Sequence, residues 1–92
     1  MATKISAPAV SRFLRTSGIL VTPAAAPLSM GGLRVNRSAA TGEVVVQAIL
    51  GVGRQRQEER LAAIAVEALR EGGYTVRVSE IDASIVYVNK ES

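Results

Sequence analysis

The chain has 92 residues, 48 % of them hydrophobic and 21 % charged. These values fit one folded domain with a modest core and exclude wholesale disorder. It has neither cysteine nor histidine, which excludes disulfides, thiol chemistry, the usual zinc sites and histidine general bases. The formal net charge of +3 is unevenly spread. Lys4, Arg12, Arg15, Arg34, Arg37, Arg54 and Arg56 stand against Glu43 alone in residues 1–56, giving +6. Four cations against seven acids leave −3 in residues 57–92. The basic part predicts a polyanionic partner; the plain alternative is an unevenly charged, solvated surface.

No apolar run reaches the roughly 20 residues needed to span a bilayer, so no membrane contact is expected. The acid-free first 42 residues also have the composition of an organelle transit peptide. Against that, helix signals frame 6–18 and the basic character continues into strand-like segments, so a cytoplasmic protein is expected.

In chain order, Ser6 is an N-cap and Pro8 suits a first helical turn. Val10, Phe13 and Leu14 repeat at helical spacing, and Gly18 is a stop, which predicts a helix near 7–17. Residues 19–31 read as an irregular connector, with Ile19–Val21 either packed or a short strand. Leu33–Arg37, a Gly-containing turn over 38–42, and Val44–Leu50 read as a hairpin. A second helix is expected near 54–71, with Leu61, Ile64, Ala65, Ala68 and Leu69 as its buried stripe, widened by Ala62 and Val66, and ended by Gly72-Gly73. Tyr74–Val78 and Ile85–Val88 form a second hairpin, with 1–5 and 89–92 frayed.

The order α-β-β-α-β-β predicts an α+β domain: a four-stranded antiparallel sheet with both helices on one face. Such an order results from cutting a ferredoxin-like fold after its first strand and moving that strand to the end. A winged arrangement with a projecting hairpin uses the same elements.

Ser6, Pro8, Ala9, Val10, Ser11, Arg12 and Leu14 fit a Ser-x-Pro-Ala-Val-Ser-Arg-x-Leu run. This segment resembles the recognition helix of winged helix-turn-helix regulators of the ArsR and MarR type. The layout is also similar to small uncharacterised actinobacterial and phage proteins. Such regulators carry two helices before the recognition helix, whereas five residues precede Ser6 here. Helix 54–71 or a dimer partner would have to supply that scaffold. The resemblance implies a small duplex-DNA-binding protein, a transcriptional regulator or phage accessory protein, with no cofactor expected; because one small module offers limited interface, a homodimer is expected.

The first helix would enter the major groove. Ser6 and Ser11 would sit close to it, Arg12 and Arg15 would contact phosphate or guanine, Arg34 and Arg37 would contact DNA from the wing, and Lys4 from the tail. Arg54 and Arg56, after Gly51-Val52-Gly53, would flank a helix N-terminus able to hold a phosphate. The plain alternatives are an amphipathic helix with solvated arginines, a half-buried hairpin and an ordinary strand–helix turn.

The rival function is a protein-interaction module that binds an acidic partner surface, with its edge strands open to a partner's strand. An enzyme is not expected, since no serine or threonine has an evident base and Glu58, Glu59, Glu67 and Glu71 read as a solvated helix face. Stacking of single-stranded RNA is a minor reading, because Tyr74 and Tyr87 are assigned to the core by their alternation with Val76, Val78 and Ile85.

Overall fold

A computed structural model describes residues 5–23, 30–38 and 41–90. The elements are α1 (Ala7–Thr16), β1 (Gly32–Arg37), β2 (Val44–Ile49), α2 (Gln55–Glu71), β3 (Tyr74–Val78) and β4 (Ile85–Lys90). Both helices begin and end within a residue of their predicted limits. β4 extends through Asn89 and Lys90, pairing Asn89 with Thr75 and Lys90 with Tyr74, so the expected fraying does not begin at 89. Ile5, also expected to fray, instead packs partly buried against the core, and its carbonyl accepts from Arg37 Nη2; the predicted fraying of 1–4 and 91–92 lies outside the described residues.

Local chemistry explains the first helix. Ser6 is extended, and its Oγ accepts the Ala9 N–H at 3.2 Å, satisfying one of the donors that a helix start leaves open. At the other end, Gly18 adopts φ +84°. Its N–H donates to Arg15 O, and Ile19 N–H donates back to Leu14 O, both at 3.0 Å. That double closure requires a left-handed residue, which glycine supplies without strain.

The four strands form one antiparallel sheet in the order β1-β2-β4-β3. This is the strand order the permuted ferredoxin-like arrangement yields. The β1–β2 hairpin therefore does not project as a wing. β2 lies inside the sheet, with β1 on one side and β4 on the other over Val44–Gln47. Leu33, Val35, Val44, Val46, Ala48, Val86 and Val88 form the covered face of the sheet. Against it pack Val10 and Leu14 of α1 and Ala62, Ala65, Val66 and Leu69 of α2. Ile64, expected in the α2 stripe, is instead half exposed, whereas Ala62 and Val66, expected to widen it, are buried.

Phe13 joins the two helices to β3. Its ring meets Tyr74 edge-on, with centroids 5.2 Å apart and planes at 61°. Across from it, Gly72 leaves the room that ring needs: a Cβ there would come within 2.6 Å of Phe13 Cε1. Gly72 has φ −80°, so backbone strain does not oppose alanine. Gly72→Ala removes backbone entropy from the unfolded chain, an effect of about 0.4–1 kcal/mol, but overpacks a ring held by Tyr74, an effect of about 1–3 kcal/mol. The clash prevails. The variant is expected to be less stable in urea unfolding, and Phe13→Leu in the same chain is expected to reverse part of the loss.

The β3–β4 turn is held by one carboxylate. The Ser84 hydroxyl donates to Asp82 Oδ1 at 2.6 Å, and the Ser84 N–H donates to the same oxygen at 2.9 Å. The hydroxyl bond first and the amide bond second hold the Asp82 carboxyl below its ordinary range. A lowered folded-state pKa gives stability that is complete above the ordinary aspartate range and fades as pH falls through the folded value. Ser84→Ala should raise the Asp82 titration midpoint in carboxyl NMR. Its destabilisation should be visible at neutral pH and shrink once both proteins are protonated.

Candidate functional site

α1 lies beside β1 and leaves a groove of about 320 Å³ along that edge of the sheet. Ala7, Ser11 and Arg15 come one helical turn apart on α1 and face it together, with Pro8 beside them. Val21, Thr22 and Pro23 close one end, and Val35, Asn36 and Arg37 form the strand side.

The backbone of β1 gives this groove directional hydrogen bonding. The Thr22 N–H donates to Leu33 O at 2.7 Å, and Val21 makes a parallel bridge to Leu33. Leu33 therefore turns its polar backbone away from β2. Strand alternation then turns Val35 and Arg37 the same way, past the point where the connector leaves the edge. The Ser38 N–H to Glu43 O bond, 2.8 Å long, fixes the opposite parity toward β2. No described residue pairs with the outward backbone groups of Val35 and Arg37.

The predicted site residues divide into several places. Arg12 and Arg15 are both exposed on α1, Arg15 at the groove, with no ion pair to a described residue. Ser11 is half-buried at the groove, and Ser6 is the helix cap. Arg37 lines the groove while its Nη2 donates to Ile5 O at 2.7 Å and its Nη1 to Gly42 O at 3.4 Å. It pins the segment before α1 to the hairpin end and keeps its charge at the surface. Lys4 lies outside the described residues.

Arg34 departs most from expectation. It is only 4 % exposed. Its Nη1 donates to Pro23 O at 3.4 Å and its Nη2 to Met30 O at 3.0 Å. Alternation does send this side chain to the sheet face away from the helices, but it is buried there with its guanidinium on the Pro23 and Met30 carbonyls. Arg34 is a buried clamp on the two ends of 23–30, not a wing contact.

Arg54 and Arg56 follow the Ile49 end of β2, whereas Arg37 sits at the Val44 end. With Arg60 they border a separate depression of about 570 Å³. Arg54 Nε donates to Gln57 Oε1 at 2.8 Å. The α2 start has no side-chain cap, and the Glu58 carboxylate accepts the Leu50 N–H at 2.7 Å, tying the helix to the end of β2.

The uncovered sheet face corrects the assignment of Tyr87. Tyr74 does face the helices. Tyr87 pairs with Val45 and Arg77 on the other face, and the Arg77 guanidinium lies 4.3 Å from its ring centroid. Both alternate sets of β4 are largely apolar, Val86 and Val88 as much as Ile85 and Tyr87, so parity alone does not name the covered side. Arg77 is held at 3.1 Å by Glu43, whose other oxygen accepts from Asn89 Nδ2 at 3.0 Å. With Arg77 60 % exposed, this pair adds little stability, but it occupies the tyrosine face that a base would need. Among the described residues there is no cluster able to hold a metal ion and no helix long and apolar enough to cross a membrane. No family model, curated protein or solved structure matches the chain.

Proposed function

We propose that this chain is a protein-interaction module that takes an extended, acidic segment of a partner as an added strand along β1. The observation that carries this reading is the alignment of the outward Val35 and Arg37 backbone groups with a groove flanked by Arg15 and Arg37. Main-chain pairing would supply affinity, and the two guanidinium groups would select carboxylates on alternate residues of the guest.

A second reading, duplex DNA, draws on the exposed pair Arg12 and Arg15. It loses the hairpin as a wing, loses Arg34 to the interior, and has Arg54 and Arg56 at the other end of the sheet. One experiment separates the two. The protein is titrated with a library of extended Asp/Glu-rich peptides and, in parallel, with duplex DNA over a range of salt. Backbone amide shifts are followed throughout. The interaction-module reading expects peptide-induced shifts centred on Val35 and Arg37. Steeply salt-dependent duplex binding that disappears in Arg12→Ala with Arg15→Ala, without any peptide response, would replace it with the DNA reading.

A further inference from the structure

The far edge of the sheet has the same backbone openness and a different chemistry. The Ser79 N–H donates to Ile85 O at 2.9 Å, so Thr75 and Arg77, of the same parity, turn their polar backbone toward β4. Tyr74, Val76 and Val78 turn theirs outward, and no described residue pairs with them. Beside this edge, α2 and β3 leave an apolar hollow of about 410 Å³. Ala63, Val66 and Val78 line it, and Glu67, Arg70 and Glu71 border it.

We infer that this face is a symmetric dimer interface, in which β3 pairs antiparallel with β3 of a second copy about a two-fold axis at Val76. The register is self-matching. Tyr74 of one chain falls opposite Val78 of the other, and Val76 opposite its own copy, so every outward backbone group meets another. On the uncovered face Arg77 falls opposite Thr75 of the second copy, and no like charges are set against each other. The α2 flanks come together over the two hollows.

Charge selects a second copy for this edge and excludes it from the other. The β1 groove carries Arg15 and Arg37, so two copies meeting there would oppose cations. The β3 side carries both signs, as an isologous contact requires, because each patch must complement itself. A 92-residue chain whose core is mostly valine, leucine and alanine buries limited area alone and gains from pairing. The dimer has one continuous eight-stranded sheet with the two β1 edges at its outer ends. It does not depend on what those edges bind.

Sedimentation equilibrium on the full chain tests the interface. The expected result is a mass approaching twice 9.7 kDa that falls toward one copy on dilution. Val78→Lys and Ala63→Glu replace exposed positions. Each is expected to weaken the dimer at least tenfold with unchanged far-UV circular dichroism. A mass of one copy at every concentration would overturn the inference. So would a dimer indifferent to both substitutions, or open-ended assembly rather than a closed pair.

Discussion

Arg34→Ala is expected to lower the unfolding free energy by about 3 kcal/mol, the combined scale of two hydrogen bonds from a charged donor. The guanidinium is buried, and two of its nitrogens hold Pro23 O and Met30 O. Truncation leaves both carbonyls without this donor and removes a buried aliphatic stem. Arg34→Lys should recover little, because one compact ammonium does not reproduce a planar fork aimed at two separate carbonyls. Urea unfolding gives the free energy. Limited proteolysis should show earlier cleavage between 21 and 31 in both variants, since the clamp closes that loop. Unchanged stability together with lost nucleic-acid binding would return Arg34 to the role of a surface contact.

Arg15→Glu is expected to weaken binding of an acidic guest strand by roughly tenfold or more, about 1.4 kcal/mol or above. Arg15 is the informative choice because it is exposed and has no ion pair to a described residue. Arg37 also holds Ile5 O, so its removal would confound binding with loosening of the N-terminal segment. Reversing the charge places a carboxylate beside the guest's own carboxylates, adding repulsion to the lost attraction. The loss should shrink as salt rises. Arg56→Glu serves as the control: it changes net charge equally but does not line the groove, so it should leave peptide affinity nearly unchanged. Equal losses in both variants, measured by fluorescence anisotropy, would mean that overall charge rather than the groove governs binding.

The sequence by itself determined the elements and their limits, because those rest on near neighbours. Ser6 caps α1 by reaching three residues ahead. Gly18 and Gly72-Gly73 end helices where the chain must turn. Alternation in 33–37, 44–49 and 74–78 separates the two sides of each strand, and the order of elements restricts the sheet to few arrangements. The polar side of α1 was legible too, since Ser11, Arg12 and Arg15 fall off its apolar face; the groove that Ser11 and Arg15 share with β1 was not.

Only the tertiary structure decided which side of β4 is covered, where the hairpin sits and what Arg34 does. Tyr87 and Val88 are equally compatible with a strand, and the choice between their sides is made by α1 and α2, which are distant in the chain. The β1–β2 hairpin ceases to be a free wing because β4 pairs with β2, a contact made across the whole of α2 and β3. Arg34 alternates as a surface residue should, but Pro23 and Met30, far from it in the strand's own pattern, present their carbonyls to its guanidinium. Side-chain parity is a property of one strand, whereas burial depends on what another part of the chain brings to that strand.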